Sequence, residues 1–279
     1  MKKTTVVMII LVAISAAFGQ NMMLNNPQRS YSLKASAEIG YLGVISHRIQ
    51  SGENGTYFNY AKDGGQNNLF PVTRFSLDLK LNSKSTLVFL YQPLRLETAE
   101  ILRDDLMVDN QLFPAGTSML FLYNFPFYRF SYLYDFADGD DELAIGISLQ
   151  LRNATINFQS LDGELFRTQN DVGPVPIIKL RARKNYYSGF WLGTEIDGFY
   201  APISYLNGSD TEVEGAIIDA SLRAGIVLPK DTEGFLNLRY IAGGAVGNSE
   251  DERNFGDGYV KNWLQFLTVS IGFSYEFAN

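Results

Sequence analysis

Asn262 to Phe277 alternates cleanly. Leu267, Val269, Ile271, Phe273, Tyr275 and Phe277 share one parity, and Thr268, Ser270, Gly272, Ser274 and Glu276 share the other. A period of two marks a β-strand with one apolar and one polar face. The pattern recurs upstream. Phe75, Leu77, Leu79 and Leu81 oppose Arg74, Ser76, Asp78 and Lys80, and Ile178, Leu180 and Ala182 oppose Lys179, Arg181 and Arg183. Leu222, Ala224 and Ile226 oppose Asp219, Ser221 and Arg223, and Leu236, Leu238 and Tyr240 oppose Asn237 and Arg239. Tyr128, Phe130, Tyr132, Tyr134 and Phe136 oppose Arg129, Ser131 and Asp135. Between 142 and 158 the apolar parity runs from Leu143 to Leu151 opposite Ser148, Gln150 and Arg152, then slips at Asn153-Ala154, which predicts a bulge or a rim.

Strand-like runs lie near 33–46, 70–82, 85–96, 117–136, 142–158, 175–184, 189–203, 215–228, 234–247 and 260–277. They predict about ten strands, with twelve also compatible. Their connections alternate short and long. Turns at Asn82–Ser85, Asp138–Asp141, Asn185–Ser188 and Pro229–Thr232 separate longer polar stretches at 47–69, 97–116, 160–174, 204–214 and 248–259. Short periplasmic turns and long outer loops are the plan of an up-and-down, antiparallel transmembrane β-barrel. Pro93 and Pro126 interrupt strands that are apolar on both faces and belong near the outer rim, where ladder bonds loosen. Leu106 to Gly116 reads as a small hairpin standing above the membrane.

The first residues fit a different element. Lys2 and Lys3, the apolar run Val6 to Ala17 and the small-x-small site Ala17-Phe18-Gly19 read as a secretory signal peptide over 1–19, leaving 20–279 as the barrel domain. The apolar run is shorter than the roughly 20 residues of a membrane helix. The 279 residues contain no cysteine, which excludes a lipoprotein anchor, disulfides and thiolate metal sites. Mean hydropathy is close to zero while 14% of the chain is aromatic, a combination that suits a barrel with interfacial Tyr and Phe girdles. The net charge of −7 argues against nucleic acid as a partner.

On the inward parity, Arg74, Arg129, Arg152, Lys179, Arg181, Arg183, Arg223 and Arg239 meet Asp78, Asp135, Glu195, Asp197 and Asp219. Side chains just fill a barrel of about eight strands, while aqueous channels belong to about 16 or more. These lumen-lining charges therefore predict either an internal salt-bridge network or a narrow polar, anion-preferring path. The outer loops are acidic through residues such as Glu97, Asp104, Asp105, Asp109, Asp162, Asp210, Glu212, Glu250, Asp251 and Glu252, with no calcium-loop spacing.

Barrel hydrolases of lipids or peptides recruit a histidine as general base. The chain has one, His47. Adjacent Ser46 faces the opposite way on a strand, the positions two away are Ile45 and Ile49, and Asp104-Asp105 has no second histidine to complete a peptidase unit. His47 reads as a rim residue, and no catalytic residue, metal or cofactor is assigned. The competing reading is an outer-membrane hydrolase built on His47 and loop carboxylates.

Gly173–Arg183 (GPVPIIKLRAR), Asp197–Asp210 (DGFYAPISYLNGSD), Phe235–Ala245 (FLNLRYIAGGA) and Asn262–Gly272 (NWLQFLTVSIG) resemble a group of outer-membrane β-barrel proteins of Gram-negative bacteria. The resemblance runs through most of the mature chain and implies the barrel without a reaction or ligand. The expected protein is a monomeric, non-enzymatic outer-membrane barrel, either a narrow solute path or a surface-loop interaction protein. Its expected partners are outer-membrane lipid and, through the C-terminal strand ending at Phe277, the barrel assembly machinery.

Overall fold

The computed structural model describes residues 31–202, 213–248 and 256–277. The signal segment 1–19 and the loop acids Asp210, Glu212, Glu250, Asp251 and Glu252 lie outside the described residues, as does the side chain of Arg152. In chain order the elements are β1 (Ser32–Ser51), β2 (Phe58–Asn59), α1 (Tyr60–Asp63), β3 (Leu69–Lys80), β4 (Ser85–Gln92), β5 (Arg95–Ile101), β6 (Leu106–Val108) and β7 (Gln111–Phe113). They continue with β8 (Ser118–Asn124), β9 (Phe127–Asp135), β10 (Glu142–Ser160), β11 (Phe166–Asn185), β12 (Phe190–Pro202), β13 (Val213–Leu228), β14 (Thr232–Asn248) and β15 (Tyr259–Phe277).

Ten strands form the wall, β1, β3, β4 and β9 to β15, each antiparallel to its neighbours. β15 returns to β1, from Leu33 opposite Phe277 to Ser51 opposite Val260, so the sheet closes and loses its edges. The prolines act as expected of them. Pro93 separates β4 from β5, and Pro126 separates β8 from β9; beyond these breaks β5 pairs with β8, and β8 with β10. At the short-turn end Lys230 and Asp231 both adopt positive φ, the conformation tight hairpins demand.

The exterior carries a lipid belt. Leu143, Ile145, Ile147, Leu149 and Leu151 face out on β10, and Leu267, Val269, Ile271, Phe273, Tyr275 and Phe277 do so on β15, matching the roughly 9–11 residues a tilted strand needs to cross. Aromatic pairs edge the belt: Tyr134–Phe136 and Tyr275–Phe277 at the short-turn end, and Tyr91–Tyr128 stacked at 4.8 Å toward the other. Among the described residues no helix is long and apolar enough to cross a membrane, so the strands carry the crossing.

Above the belt the two faces exchange chemistry. On β10 the outward row becomes Asn153, Thr155 and Asn157, while the inward row becomes Ala154, Ile156 and Phe158, all buried. Of the two expectations for the slip at 153–154, the rim holds and the bulge does not: β10 pairs with β11 straight through it, and polarity switches while parity does not. A bulge occurs instead in β1, between Val44 and Ser46. The inward rows of other strands switch at the same height, Arg74 giving way to Val72, Gln92 to Leu94, Arg239 to Ile241 and Thr268 to Phe266. Outside hydrocarbon a barrel wall needs a wet exterior and a dry interior, the reverse of its needs inside.

Two further expectations change for the same reason. The stretch 160–174, expected as a loop, is mostly strand, because β10 and β11 extend past the belt and turn over only at 161–165. The hairpin β6–β7 does not stand clear of the barrel: Leu106, Val108 and Phe113 are buried in an apolar cluster with Phe58, Tyr60, Met119, Phe121, Tyr123 and Phe158. The connection after β1 folds inward with it. Asn59 caps α1, its Oδ1 accepting from the backbone N–H groups of Ala61 and Lys62, and the Thr56 N–H donates to the Met107 carbonyl at 2.8 Å.

Candidate functional site

The lumen has three storeys, set by where each strand places its inward residues. At the centre lies a buried layer of ions. Arg239 makes a two-pronged contact with Asp219, at 2.6 Å from both Nε and Nη2, and its Nη1 donates to Gln92. Arg129 Nη1 lies 2.6 Å from Asp197 and 3.0 Å from Asp219, while its Nε and Nη2 donate to Gln150 Oε1. Lys179 reaches Asp197 and Glu195, both at 2.9 Å. Arg74 bridges Glu38 at 3.1 Å and Glu195 at 2.8 Å, and Asn237 and Ser270 donate to the second oxygen of Glu38. Arg129, Lys179 and Asp197 are each 1% exposed.

Below the layer a vestibule of about 390 Å³ opens at the short-turn end. Arg181 spans Asp78 and Glu142 there, and Arg183 and Lys34 share Glu233. Asp135 is spent on structure: its Oδ1 accepts from the N–H groups of Ala137 and Leu143 and holds the turn. Of the residues expected to line the lumen, all but Arg152, whose side chain is outside the description, sit in the layer or the vestibule. The carboxylates interleave with the arginines, so the structure has no continuous positive lining. Glu142 and Glu233 were missed at the sequence level, although each shares the inward parity of its own strand.

Above the layer the interior is aromatic, and His47 sits inside it. It is fully buried rather than at the rim. Its ring stacks on Tyr60 at 4.6 Å and meets Tyr123 edge-on at 4.4 Å, and Nδ1 lies 2.7 Å from Gln66 Oε1. An imidazole enclosed in this way braces the cap that the connection after β1 and the β6–β7 hairpin form inside the barrel above the belt. Phe121 contacts Phe58 at 5.1 Å, Tyr60 at 5.8 Å and Phe158 at 5.9 Å, the spacing of favourable ring pairs.

Asp109 ties the cap down. At the β6–β7 tip its backbone N–H donates to the Ser51 carbonyl at 2.8 Å, and its side chain abuts Gly256. Burial, reinforced by Asp257 and opposed by Arg167, pushes its carboxyl up to about 6. An acid raised on folding binds its proton more tightly in the folded cap, so its contribution is present at low pH and fades as pH rises through about 6. Amide hydrogen exchange across 106–113, corrected for intrinsic rates, is expected to show more protection at pH 5 than at pH 8, and Asp109→Asn is expected to remove the difference. Equal protection at both pH values would refute the latch.

No family model and no curated relative matches the chain. Solved structures do resemble it at low identity. The transport unit of the autotransporter AIDA-I from Escherichia coli is 10% identical, with a TM-score of 0.41 over 95% of this chain and 96% of that one. The outer membrane protein OprG from Pseudomonas aeruginosa is 10% identical, with a TM-score of 0.33 over 90% and 98%. Ail, the attachment invasion locus protein of Yersinia pestis, is 11% identical, with a TM-score of 0.32 over 88% and 99%. The architecture is read from the chain's own strand pairing: a closed, ten-stranded antiparallel β-barrel of the outer-membrane type.

Proposed function

We propose that the protein is a non-enzymatic barrel of the Gram-negative outer membrane that does not conduct, and that presents the strand extensions and inward-folded loops above its belt as a rigid surface for interaction outside the cell. One observation supports the reading: among the described residues the lumen is crossed by a buried ion layer and, above it, holds an aromatic core. Breaching the layer would strand charges at low dielectric, which costs several kcal/mol per ion. We further propose export by the signal segment, insertion as a monomer, and delivery to the assembly machinery through the strand ending at Phe277. The test is conductance of the inserted protein in a planar bilayer under anion and cation gradients. No steady current is expected; a steady, ion-selective current would overturn the proposal.

A further inference from the structure

We propose that Arg48 and Lys261, gathered on the exterior of the barrel just above the lipid belt, form a site for the phosphate of an outer-leaflet lipid headgroup. The inference rests on the outer-membrane reading and not on the closed lumen, because the site lies on the outside of the wall.

Three observations carry it. The first is where the wall changes chemistry. The outward row of β15 passes from Leu267 through Gln265 to Trp263 and Lys261, and that of β1 passes from Tyr41 and Ile45 to Arg48 and Gln50. The strands are in register here, with Arg48 opposite Trp263 and Gln50 opposite Lys261, so apolar side chains give way to an indole and two cations at one height. At about 3.3 Å per residue and a strand tilt of about 40°, Trp263 lies about 5 Å and Lys261 about 10 Å beyond Gln265. The headgroup layer is about 5–8 Å deep on each side of the hydrocarbon, and tryptophan is enriched in it. A lysine stem is long enough to lower its ammonium into that layer.

The second observation is what holds the two cations. The Lys261 Nζ lies 4.9 Å and the Arg48 guanidinium 5.9 Å from the centre of the Tyr57 ring, which is 42% exposed. Tyr57 reaches them because β2 extends the outer face beside β1: Asn59 stands opposite Arg48 and Phe58 opposite Ile49, which brings the next residue level with Gln50. A ring face attracts both cations and fixes where they point. Neither makes an ion pair among the described residues, whereas Arg95, also outward above the belt, is held by Glu97 at 2.6 Å. Two like charges drawn onto one ring repel each other, and an anion set between them removes that cost. Phosphate suits the pair, since the fork of Arg binds its oxygens two at a time and Lys binds it as a point charge.

The third is the charge of the surroundings. The chain carries a net charge of −7, and Glu97, Asp104, Asp105 and Asp162 make its outer connections acidic. That field repels anions arriving from solution. A lipid phosphate arrives instead by diffusing in the leaflet, at the height of the two cations and beneath the acidic connections. Trp263 and Ile45 then give its acyl chains an apolar wall that continues into the belt.

The experiment uses the full chain purified in detergent, carrying Trp191→Phe so that Trp263 is the sole tryptophan. Its emission is titrated with diphosphorylated lipid A in mixed micelles, with dephosphorylated lipid A and inorganic phosphate as controls. A saturable change is expected with the diphosphorylated lipid, at least tenfold weaker binding without its phosphates, and no saturable change with inorganic phosphate. Arg48→Gln and Lys261→Gln are each expected to weaken binding about fivefold, and together about 25-fold, the usual worth of basic residues at an anionic lipid surface. Arg95→Gln is expected to leave it unchanged. The proposal is overturned if the dephosphorylated lipid binds as well, if the double variant binds like its parent, or if Arg95→Gln costs as much as Lys261→Gln. A response to inorganic phosphate equal to that of the lipid would overturn it too, by showing a site for free anions. Heat-modifiable mobility on a gel is followed in every sample: a folded, inserted barrel that ignores the lipid sinks this site alone, whereas a chain that never inserts sinks the outer-membrane reading.

Discussion

Asp219→Ala is expected to lower the unfolding free energy of the barrel by about 3–5 kcal/mol, the range for breaking a buried ion pair by removing one partner. Asp219 is 3% exposed and receives both prongs of Arg239 together with Arg129. Removing it leaves Arg129 with Asp197 and the neutral Gln150, and Arg239 with the neutral Gln92. The measurement is reversible urea unfolding of the lipid-inserted protein, followed by tryptophan emission. The pair as a whole need not stabilise, since desolvating two charges offsets much of their attraction. The double variant Asp219→Ala, Arg239→Met is therefore expected to recover part of the loss. A single-variant loss below about 1 kcal/mol would mean that water reaches the layer, and the closed-lumen reading would fail with it.

Phe121→Ala is expected to cost about 3–5 kcal/mol as well, but in a different place. Phe121 is 1% exposed and packs on Phe58, Tyr60 and Phe158, so truncation opens a cavity that three rings cannot refill without moving. These rings come from the connection after β1, from α1 and from β10 above the belt. The membrane-embedded ladder below is untouched. Hydrogen exchange is therefore expected to accelerate across 58–66 and 106–113 while the belt portions of β1 and β15 stay protected. Uniform acceleration over the whole barrel would show that cap and belt unfold as one unit. The two substitutions together ask whether the storeys are energetically separate, as their chemistry implies.

The belt and the ladder were legible along the chain because both obey local rules. The parity of Leu267 to Phe277 places one row in lipid whatever its neighbours do, and short turns alternating with long connections order the strands without knowledge of contacts. The lumen-facing arginines and carboxylates followed from the same parity. Glu142 and Glu233 could have been found by carrying each row to the end of its strand. The cap could have been suspected from Tyr57, Phe58 and Tyr60 crowded into a connection that is otherwise polar.

What was misread was misread for one reason. At Asn153-Ala154 the chain passes out of the hydrocarbon, and the rule linking polarity to face inverts, so a straight strand looks like a slipped one. The same inversion hid the upper halves of β10 and β11 and made His47 look like a rim residue. Sequence alone determined that the protein is a strand-built barrel with an apolar exterior and a charged interior, because secondary-structure period and solvent contrast act residue by residue. Only the tertiary structure decided which charges pair across the lumen and that the connection after β1 and the β6–β7 hairpin fold inward. Those facts depend on barrel closure, which brings residues far apart in sequence within a few ångströms of one another.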